Sequence, residues 1–424
     1  MTKYALTNCY VFDGLGNVFK GSVIIDGGMI VDVGSEGSVK VPEDAKVIDL
    51  GGNYLLPGLI DAHLHLVGMR TGDFVKEPLL TPYETFVARV VKDLEELIYS
   101  GFTTVGDAGS LIAAKIKYAV NEGTILGPRI VASGLPLSPT FGHGDTHYLP
   151  VEYVDYRTSR KLVPLASLIC DGVDECRKAA RYALREDADF IKIMTTGGVL
   201  SQKDRPEYRQ FTLDEIKAIV DEARAAGRFV HAHAQGVEGI RNAILGGVKV
   251  IAHAIYIDEE SIALSKEFDA IIVPTLSIVD RILSIGSKIG IPEWALRKAD
   301  EVNKEHINNI RKAYRLGAKI AVGTDFCGGP LKMGDNALEI KLLVEKIGME
   351  PKEALIAATK ISAEAVGLSG KVGTIERGKI ADLIVVSGNP LVDVNILQNK
   401  ENIRLVMKEG KIVKNIKNGT TSTE

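Results

Sequence analysis

The chain has 424 residues, of which 46% are hydrophobic and 25% charged, and its formal net charge is −4. This composition predicts a compact folded protein with a sizeable core. The absence of a basic run argues against a nucleic-acid surface, and every apolar run ends short of the roughly 18 residues that a membrane span needs. The first residues lack the basic-then-apolar pattern of a signal peptide, so we predict a cytoplasmic protein. The four cysteines show neither a CxxC pair nor dense spacing, which predicts reduced thiols and no thiolate zinc site.

Both ends of the chain have the character of β-structure. Residues 4–49 alternate short apolar strands with turn signals such as Asp13-Gly14 and Asp26-Gly27, which suit tight hairpins. The tail repeats this pattern in KIADLIVVSG and IRLVMKEGKIVKNIKNG. We therefore predict one small β-sandwich domain built from residues 1–57 and 369–424.

The central segment, residues 58–368, alternates short apolar strands with helices. The segment TLDEIKAIVDEARAAG is typical of such a helix, with a capping box formed by Thr212 and Glu215 and a stop at Gly227. Eight strand–helix units predict an α/β fold of the (β/α)8 TIM barrel type rather than an open sheet, and no GxGxxG follows any strand. The candidate strands are 59–66, 103–107, 129–133, 189–194, 228–234, 249–254, 270–276 and 318–325.

The first of these strands carries three polar residues at every second position. Side chains alternate across a strand, so Asp61, His63 and His65 share one face and the intervening aliphatic residues share the other. In a barrel the aliphatic face meets the helices and the polar face points inward, where unpaired polar groups cost a few kcal/mol. A metal ion would satisfy them. For this one strand taken alone, hydrogen-bonded structural histidines are the favoured explanation.

A lysine interrupts another apolar strand, DFIKIM. Lysine is almost never fully buried without a partner, so Lys192 indicates either a buried salt bridge or an unusual chemical role. Protonated lysine has only donors and cannot bind a metal. Burial lowers the pKa of an amine, however, and a neutral amine can add carbon dioxide to become a carbamate, which is an anionic oxygen ligand.

Further polar residues occur at the ends of later strands. In FVHAHAQ the side chains of His231, His233 and Gln235 share one face, His253 stands alone in VIAHAI, and Asp325 ends the last barrel strand. Because the carboxyl ends of barrel strands meet at one face, we expect these residues to lie near the HxH pair. Four of these imidazoles, with one lysine and one carboxylate, provide enough nitrogen and oxygen ligands for two divalent ions.

With these residues in place, the chain resembles the metal-dependent amidohydrolase superfamily, in the branch of imidazolonepropionase-like enzymes, Xaa-Pro and Xaa-Arg dipeptidases and zinc carboxypeptidases. The resemblance covers essentially the whole chain. It is carried by LLPGLIDAHLHL, GFTTVGDAG, FIKIMTTGGVLS, HAHAQG, IAHAIYIDEE, AVGTDF, PKEALIAAT and GKIADLIVV. It implies two divalent ions, with zinc favoured, held by His63, His65 and Asp325 on one ion, His233 and His253 on the other, and carbamylated Lys192 as the bridge.

The resemblance also implies a mechanism. Two cations lower the pKa of a bridging water towards 7, and the resulting hydroxide attacks an amide carbonyl. Asp325 would pass the proton of the water to the leaving amine. His143, in the long loop TFGHGDTHYLP, resembles the carbonyl-polarising histidine of the family, with Asp145 and His147 as candidates to orient it, although a simple loop cap is the alternative. His231 and Asp61 are expected to support the ligands.

Several other residues are candidate substrate contacts. The backbone N–H groups of Gly197 and Gly198 could cradle a carboxylate, although a plain turn fits as well. Asp280 and Arg281 could contact the substrate or form a surface ion pair. Tyr256 could reach the pocket or simply pack.

Three more residues near these motifs have different expectations. Gln235 stands where relatives have Tyr or His, which leaves its substrate contact open. Cys327 is expected to pack without reacting. His306, in the charged helix NKEHINNIRKAY, is expected to be an ordinary solvated residue.

The leading functional hypothesis is hydrolysis of an amide or peptide bond in a small carboxylate-bearing substrate, either a dipeptide or an N-acyl amino acid. One alternative is a cyclic amidohydrolase such as imidazolonepropionase, or an aryl-amide or carbamate hydrolase. Another is a catalytically dead binding barrel, which the complete ligand set disfavours. By analogy the protein is expected to be a homo-oligomer.

Overall fold

A computed structural model of the chain describes residues 2–74, 76–147, 149–159, 163–417 and 420–422. The strands are β1 Tyr4–Phe12, β2 Val18–Asp26, β3 Met29–Ser35, β4 Lys46–Asp49, β5 Tyr54–Pro57, β6 Leu59–Leu64, β7 Phe102–Asp107, β8 Arg129–Ala132, β9 Leu137–Ser138, β10 Leu168–Ile169, β11 Ile191–Met194, β12 Val230–Ala234, β13 Val250–His253, β14 Ile271–Val273, β15 Lys319–Ile320, β16 Leu383–Val386, β17 Ile403–Lys408, β18 Lys411–Lys417 and β19 Thr420–Ser422. The α-helices are α1 Lys76–Leu80, α2 Tyr83–Tyr99, α3 Leu111–Asn121, α4 Val173–Arg185, α5 Leu213–Ala225, α6 Val237–Leu245, α7 Glu259–Glu267, α8 Leu276–Ile285, α9 Glu293–Arg315, α10 Ala337–Leu342, α11 Pro351–Ile356 and α12 Ser362–Ala365.

The two ends of the chain form one sheet, in the order β19-β18-β17-β16-β5-β1-β2-β3, with β4 paired to β1. Strand β5 joins the two ends, because it pairs in parallel with β1 and antiparallel with β16. Leu6, Leu55, Val385 and Leu405 are buried in a common core under this sheet. The N- and C-terminal β segments therefore form a single mixed sheet, separate from the parallel sheets of the central segment.

The central segment contains two parallel sheets, one in the order β6-β7-β8 and the other in the order β10-β9-β11-β12-β13-β14-β15. The predicted third strand is broken after Ala132, where Gly134 has a φ of +64°, and the chain resumes as β9 in the larger sheet. Backbone hydrogen bonds join the two sheets from Asp189 N to Ala132 O (2.7 Å) and from Asp325 N to His63 O (2.7 Å). The β9 and β10 pieces are not evident in the sequence because each has only two paired residues.

The helices cover these sheets as the sequence pattern requires. The capping box of Thr212 and Glu215 starts α5, and Gly227 with a φ of +67° follows its end, which confirms that prediction. On β6 the apolar side chains of Ile60 and Ala62 pack in a cluster with Ala363 of α12, so the polar face of the strand points the other way. All four cysteines are free and buried. No helix in the described ranges has the length and apolar character needed to cross a membrane.

Candidate metal centre and active site

Three predicted ligands meet where β6 ends and the chain leaves β15. The ligand atoms of His63, His65 and Asp325 all lie within 4.8 Å of one another. Asp325 Oδ1 is 3.1 Å from His65 Nε2 and 3.4 Å from His63 Nε2. Burial alone would raise the pKa of Asp325, but its contacts with the two histidines hold that pKa well below the ordinary value. The group is a carboxylate faced by two imidazole nitrogens.

His63 shows most clearly that this group suits a metal ion. Its Nδ1 lies 2.9 Å from His231 Nε2, whereas its Nε2 is buried and has no hydrogen-bond partner among the described residues. Burial lowers the pKa of His63 to about 3, so the ring is neutral. A buried ring nitrogen without a partner is costly unless something binds it. The residues present therefore fit a bound cation.

His233 and His253 complete the cluster of imidazoles. The His253 ring centroid is 5.3 Å from that of His63 and 4.6 Å from that of His233. His233 Nε2 bonds to Gly197 O (3.0 Å), and His253 Nδ1 bonds to Thr275 Oγ1 (2.8 Å). Burial lowers the pKa of both rings well below the ordinary value. Each ring is thus neutral, and one nitrogen of each is used by a protein partner while the other is available.

Lys192 lies on the wall of the same cavity and is 1% exposed. It is paired in register with His231 on the neighbouring strand. Burial lowers the pKa of Lys192 to about 7, although the negative charges of Asp325 and Asp107 act to raise it. A substantial fraction of the amine is therefore neutral near pH 7, as formation of a carbamate requires.

The ligands are presented by an unusual backbone conformation. His253 has a φ of +69°, Thr275 of +54° and Asp325 of +60°, values in the left-handed region that residues other than glycine seldom adopt. Such conformations cost about 1–3 kcal/mol each and concentrate at functional sites. At His253 the turn coincides with the end of β13, and Thr275 lies two residues beyond the end of β14.

Asp61 binds backbone and side chains rather than an imidazole. Its carboxylate accepts bonds from His63 N (3.0 Å), Thr324 Oγ1 (2.7 Å) and Asn336 Nδ2 (2.6 Å). It thereby ties the strand that carries His63 to the segment that carries Asp325. Thr324 precedes a predicted ligand, but nothing in the sequence singles out Asn336 for this contact.

The prediction for His306 was wrong. It is 1% exposed, and its Nε2 lies 2.9 Å from the carbonyl oxygen of His253. The helix α9 that carries it is highly charged, but His306 lies on the buried face of that helix with Ala299, Val302 and Ile310. His306 therefore supports the backbone of a candidate ligand.

His143 lies on the cavity wall, and its ring stacks on that of His233 with centroids 4.0 Å apart. Its Nδ1 lies 2.8 Å from Ser201 Oγ, a contact that sequence reasoning missed. Burial lowers the pKa of His143, while the Asp204 carboxylate opposes that shift. The candidates expected to orient the ring are engaged elsewhere. His147 Nε2 bonds to Gly142 O (3.0 Å), and Asp145 accepts from Phe141 N (2.9 Å).

The predicted carboxylate cradle at Gly197 and Gly198 is contradicted. Gly197 N donates to Tyr208 O (3.0 Å), and Gly198 N donates to Asp204 Oδ1 (3.3 Å), so neither amide is free. Close packing explains both glycines instead. A Cβ on Gly197 would lie 2.3 Å from Arg205 O, and one on Gly198 would lie 2.4 Å from the His143 ring.

Three further substrate candidates lie outside this cavity. Arg281 Nη2 pairs with Asp335 (3.1 Å), and Asp280 lines a separate hollow between α8 and α9. Tyr256 is partly buried against the hydrophobic core. None of the three lines the cavity that contains the histidines. Asp280 and Arg281 lie on helix α8, which follows β14, and this helix turns both side chains away from the cavity.

Gln235 does line the cavity and is 5% exposed. Its backbone is fixed on both sides, because Gln235 N donates to Thr196 Oγ1 (2.9 Å) and Gln235 O accepts from Tyr256 N (2.8 Å). Its buried Oε1 has no hydrogen-bond partner among the described residues. The side chain is therefore an acceptor that a bound molecule can satisfy.

The rest of the cavity wall is largely apolar. Among the described residues, Lys192 is the only lysine that lines it, and no arginine does. Cys327 also lines it, and burial raises the pKa of its thiol, which agrees with the expected inert packing role. The apolar lining includes Phe74, Leu79, Leu149, Tyr153, Leu200 and Ile282.

Comparison with known proteins gives consistent results. The family model described as "Amidohydrolase family" matches residues 54–413. The chain is 36% identical over 371 residues to an ochratoxinase from Aspergillus niger, covering 85% of this chain and 75% of the relative. It is 26% identical over 390 residues to an imidazolonepropionase from Mesorhizobium japonicum, and the match covers 88% of this chain and 87% of the relative. A crystal structure of a Xaa-Pro dipeptidase with bound methionine aligns with a TM-score of 0.86 at 34% identity over 97% of this chain and 99% of that chain.

The parallel sheets, the cavity at their ends and these matches define a hydrolase that acts on C–N bonds. The chain belongs to the amidohydrolase family, and within it to the branch that contains imidazolonepropionases and Xaa-Pro dipeptidases.

Proposed function

We propose that the protein is a binuclear metal-dependent hydrolase of amide bonds in small substrates that carry a bulky apolar group. The observation that carries the metal part is the buried Nε2 of His63, which faces Asp325 and has no hydrogen-bond partner in the described parts of the chain. The observation that carries the substrate part is the apolar wall around that group. The bond cleaved is that of an N-acyl amino acid or a dipeptide with apolar side chains.

The hydrogen bonds support a specific set of ligand atoms. A histidine that binds a metal usually donates its other ring N–H to a protein group. Nδ1 of His63 is hydrogen-bonded to His231, and Nδ1 of His65 is hydrogen-bonded to the Gly109 carbonyl. Nε2 of each ring is therefore left to bind one ion together with Asp325. The sequence resemblance gives the same three ligands.

The second ion would be held by the other two histidines. Nε2 of His233 is hydrogen-bonded to Gly197 O, and Nδ1 of His253 is hydrogen-bonded to Thr275. This leaves His233 Nδ1 and His253 Nε2 as the ligand atoms. Carbamylated Lys192 would bridge the two ions, since its near-neutral pKa favours the free amine. Zinc suits this mixture of imidazole and carboxylate ligands.

When bound, such ions lower the pKa of a water molecule and polarise the scissile carbonyl. Asp325 takes the proton of the attacking water and delivers it to the amide nitrogen as the C–N bond breaks. The ring of His143 presents Nε2 to the carbonyl oxygen, where negative charge develops. Gln235 Oε1 accepts a hydrogen bond from an N–H of the substrate.

The apolar wall excludes water and sets the preference for substrate. Burying an apolar group contributes about 25 cal/mol for each Å2 removed from water, so large aliphatic or aromatic groups gain most. The described wall offers no arginine to a substrate carboxylate. This lining, together with the similarity to an ochratoxinase, favours an aryl amide as the second candidate substrate, ahead of a small polar cyclic amide.

A kinetic panel tests the proposal. The protein, loaded with zinc in bicarbonate buffer, is assayed with N-acyl amino acids and dipeptides graded from polar to aromatic, with ochratoxin, and with imidazolonepropionate. We expect kcat/KM to rise with apolar size and to be lost on chelation and restored by metal. Preference for imidazolonepropionate would contradict the substrate class. Turnover that survives complete removal of metal would contradict the mechanism.

We propose that the two parallel sheets close into one (β/α)8 barrel, because backbone bonds link both of their edges. We also propose domain boundaries after residues 57 and 368, a homo-oligomeric state, a cytoplasmic location and zinc as the native metal.

A further inference from the structure

The ring of His143 is held by a chain of hydrogen bonds that no sequence motif indicated. His143 Nδ1 lies 2.8 Å from Ser201 Oγ, and the Ser201 hydroxyl in turn bonds to Asp204 Oδ1. Asp204 is 1% exposed and Ser201 7% exposed. Two buried polar residues from the loop after β11 are thus linked by hydrogen bonds to a histidine from the loop after β9.

The other contacts of Asp204 fix the direction of these bonds. Its Oδ1 accepts from Gly198 N (3.3 Å), and its Oδ2 accepts from Gln210 Nε2 (3.0 Å), whose Oε1 accepts from His143 N (2.9 Å). A carboxylate can only accept, so the Ser201 hydroxyl donates to it. The Ser201 oxygen then accepts from Nδ1–H of His143, which leaves Nε2 as the ring nitrogen for the cavity.

Helix α9 holds the loop that contains Ser201 and Asp204 through the side chain of Lys298. Lys298 Nζ donates to the carbonyl oxygens of Gly198 (3.0 Å), Ser201 (2.6 Å) and Asp204 (2.6 Å). Charge-assisted bonds of this kind are stronger than neutral ones. They hold the loop in the conformation that directs Ser201 at His143.

We propose that Ser201 and Asp204 are positioning residues that fix the ring of His143, with Lys298 holding their loop. This inference rests on the proposed role of His143 at the substrate carbonyl. The Asp204 carboxylate, one hydroxyl group away, favours the protonated form of the ring, which Nε2 needs in order to donate to a carbonyl oxygen.

A double-mutant cycle separates this role from a general structural one. In metal-loaded enzyme, Ser201→Ala and Asp204→Asn are expected to lower kcat at least about tenfold with little change in KM or in metal content. Ser201→Thr keeps the hydroxyl and should retain most activity. Gln202→Ala, an exposed neighbour, is the matched control and should behave as the wild type. In a His143→Asn background, Ser201→Ala should cause no further loss, because residues that act as a unit are not additive. An equal further loss in that background would overturn the proposal.

A second measurement does not depend on turnover. In 15N-histidine NMR spectra, the Nδ1–H signal of His143 is assigned by its loss in His143→Asn. We expect this signal in the wild type and in Gln202→Ala, and its loss in Ser201→Ala. Persistence of the signal in a folded Ser201→Ala variant would overturn the proposal even if no amide in the substrate panel were hydrolysed. Failure of the substrate panel alone would count against the proposed function and not against this hydrogen-bond chain.

Discussion

His231 Nε2 lies 2.9 Å from Nδ1 of His63, so one buried imidazole holds another. Both rings are almost completely buried, at 1% and 0% exposure. The contact decides which nitrogen of His63 faces Asp325. His231 therefore acts on the proposed metal centre without being one of its ligands.

Replacing His231 tests this relationship. We expect His231→Phe to lower metal affinity about 10- to 100-fold, the range for outer partners of metal-binding histidines. His231→Gln keeps a polar group near His63 and should lose less. Competition with a chromophoric chelator measures both variants. Equal affinity in His231→Phe and wild type would show that His63 needs no such support.

Lys192 is the second test of the metal centre. With 13C-bicarbonate, the metal-loaded wild type should give a carbamate 13C signal that Lys192→Met lacks. Without the bridging oxygens, the variant should lose metal affinity by more than about 100-fold, beyond the range for outer-shell partners. A wild-type spectrum with no carbamate signal at full metal content would contradict the bridging role.

Gln235 predicts a preference for secondary amides. Its Oε1, which has no partner within the described ranges, can accept an N–H, and leaving such a group unsatisfied costs about 1–3 kcal/mol. Wild-type enzyme should therefore favour a substrate with a scissile N–H over its N-methyl analogue by about 5- to 100-fold in kcat/KM. Gln235→Met should remove most of this difference.

A dipeptide with a free amine, compared with the N-acyl substrate, identifies the N–H group that Gln235 accepts from. If Gln235 instead accepts from the free amine of a dipeptide, Gln235→Met will erase the preference for dipeptide over N-acyl substrate and leave the N-methyl effect intact. If Gln235→Met changes neither ratio, Gln235 does not read an N–H group.

The structure also predicts two silent positions. Asp280 and Arg281 lie outside the cavity, so Asp280→Asn and Arg281→Met should change KM by no more than about twofold, as surface substitutions do. Loss of the partly exposed ion pair between Arg281 and Asp335 should cost up to about 1 kcal/mol of stability. A large rise in KM for either variant would restore the sequence-based prediction of a substrate contact.

Lys414 predicts a pH dependence of stability away from the site. Its Nζ donates to Tyr99 O (2.8 Å) and Lys400 O (2.7 Å), and burial lowers its pKa from 10.5 to about 8. Between these pH values the unfolded chain binds more protons, so the free energy of unfolding should rise as pH increases through this window. The free energy of unfolding, measured with urea at several pH values, should rise less steeply with pH in Lys414→Met than in the exposed control Lys411→Met. The same slope in both variants would contradict the assignment.

Side-chain periodicity was enough to predict an α/β fold with parallel strands and to identify residues that could meet at the ends of those strands. Alternation along the predicted strand 59–66 put Asp61, His63 and His65 on one face, and the order of strands implied that later residues such as His253 and Asp325 would lie near them. These inferences succeed because side-chain alternation and the common edge of parallel strands are local and topological properties. The apolar pattern also located the strands, although the two-residue pieces β9 and β10 were too short to see.

The polar groups that support the cavity residues became apparent in the folded chain alone. Ser201 reaches His143 across 58 residues of sequence, Asn336 reaches Asp61 across 275, and His306 turns inward on a helix that reads as charged. The glycine pair at 197–198 shows the same limit, because its amides are used inside a loop whose path no local pattern reveals. Hydrogen bonds between distant segments depend on how the whole chain packs, and a single sequence records the residues without recording that packing.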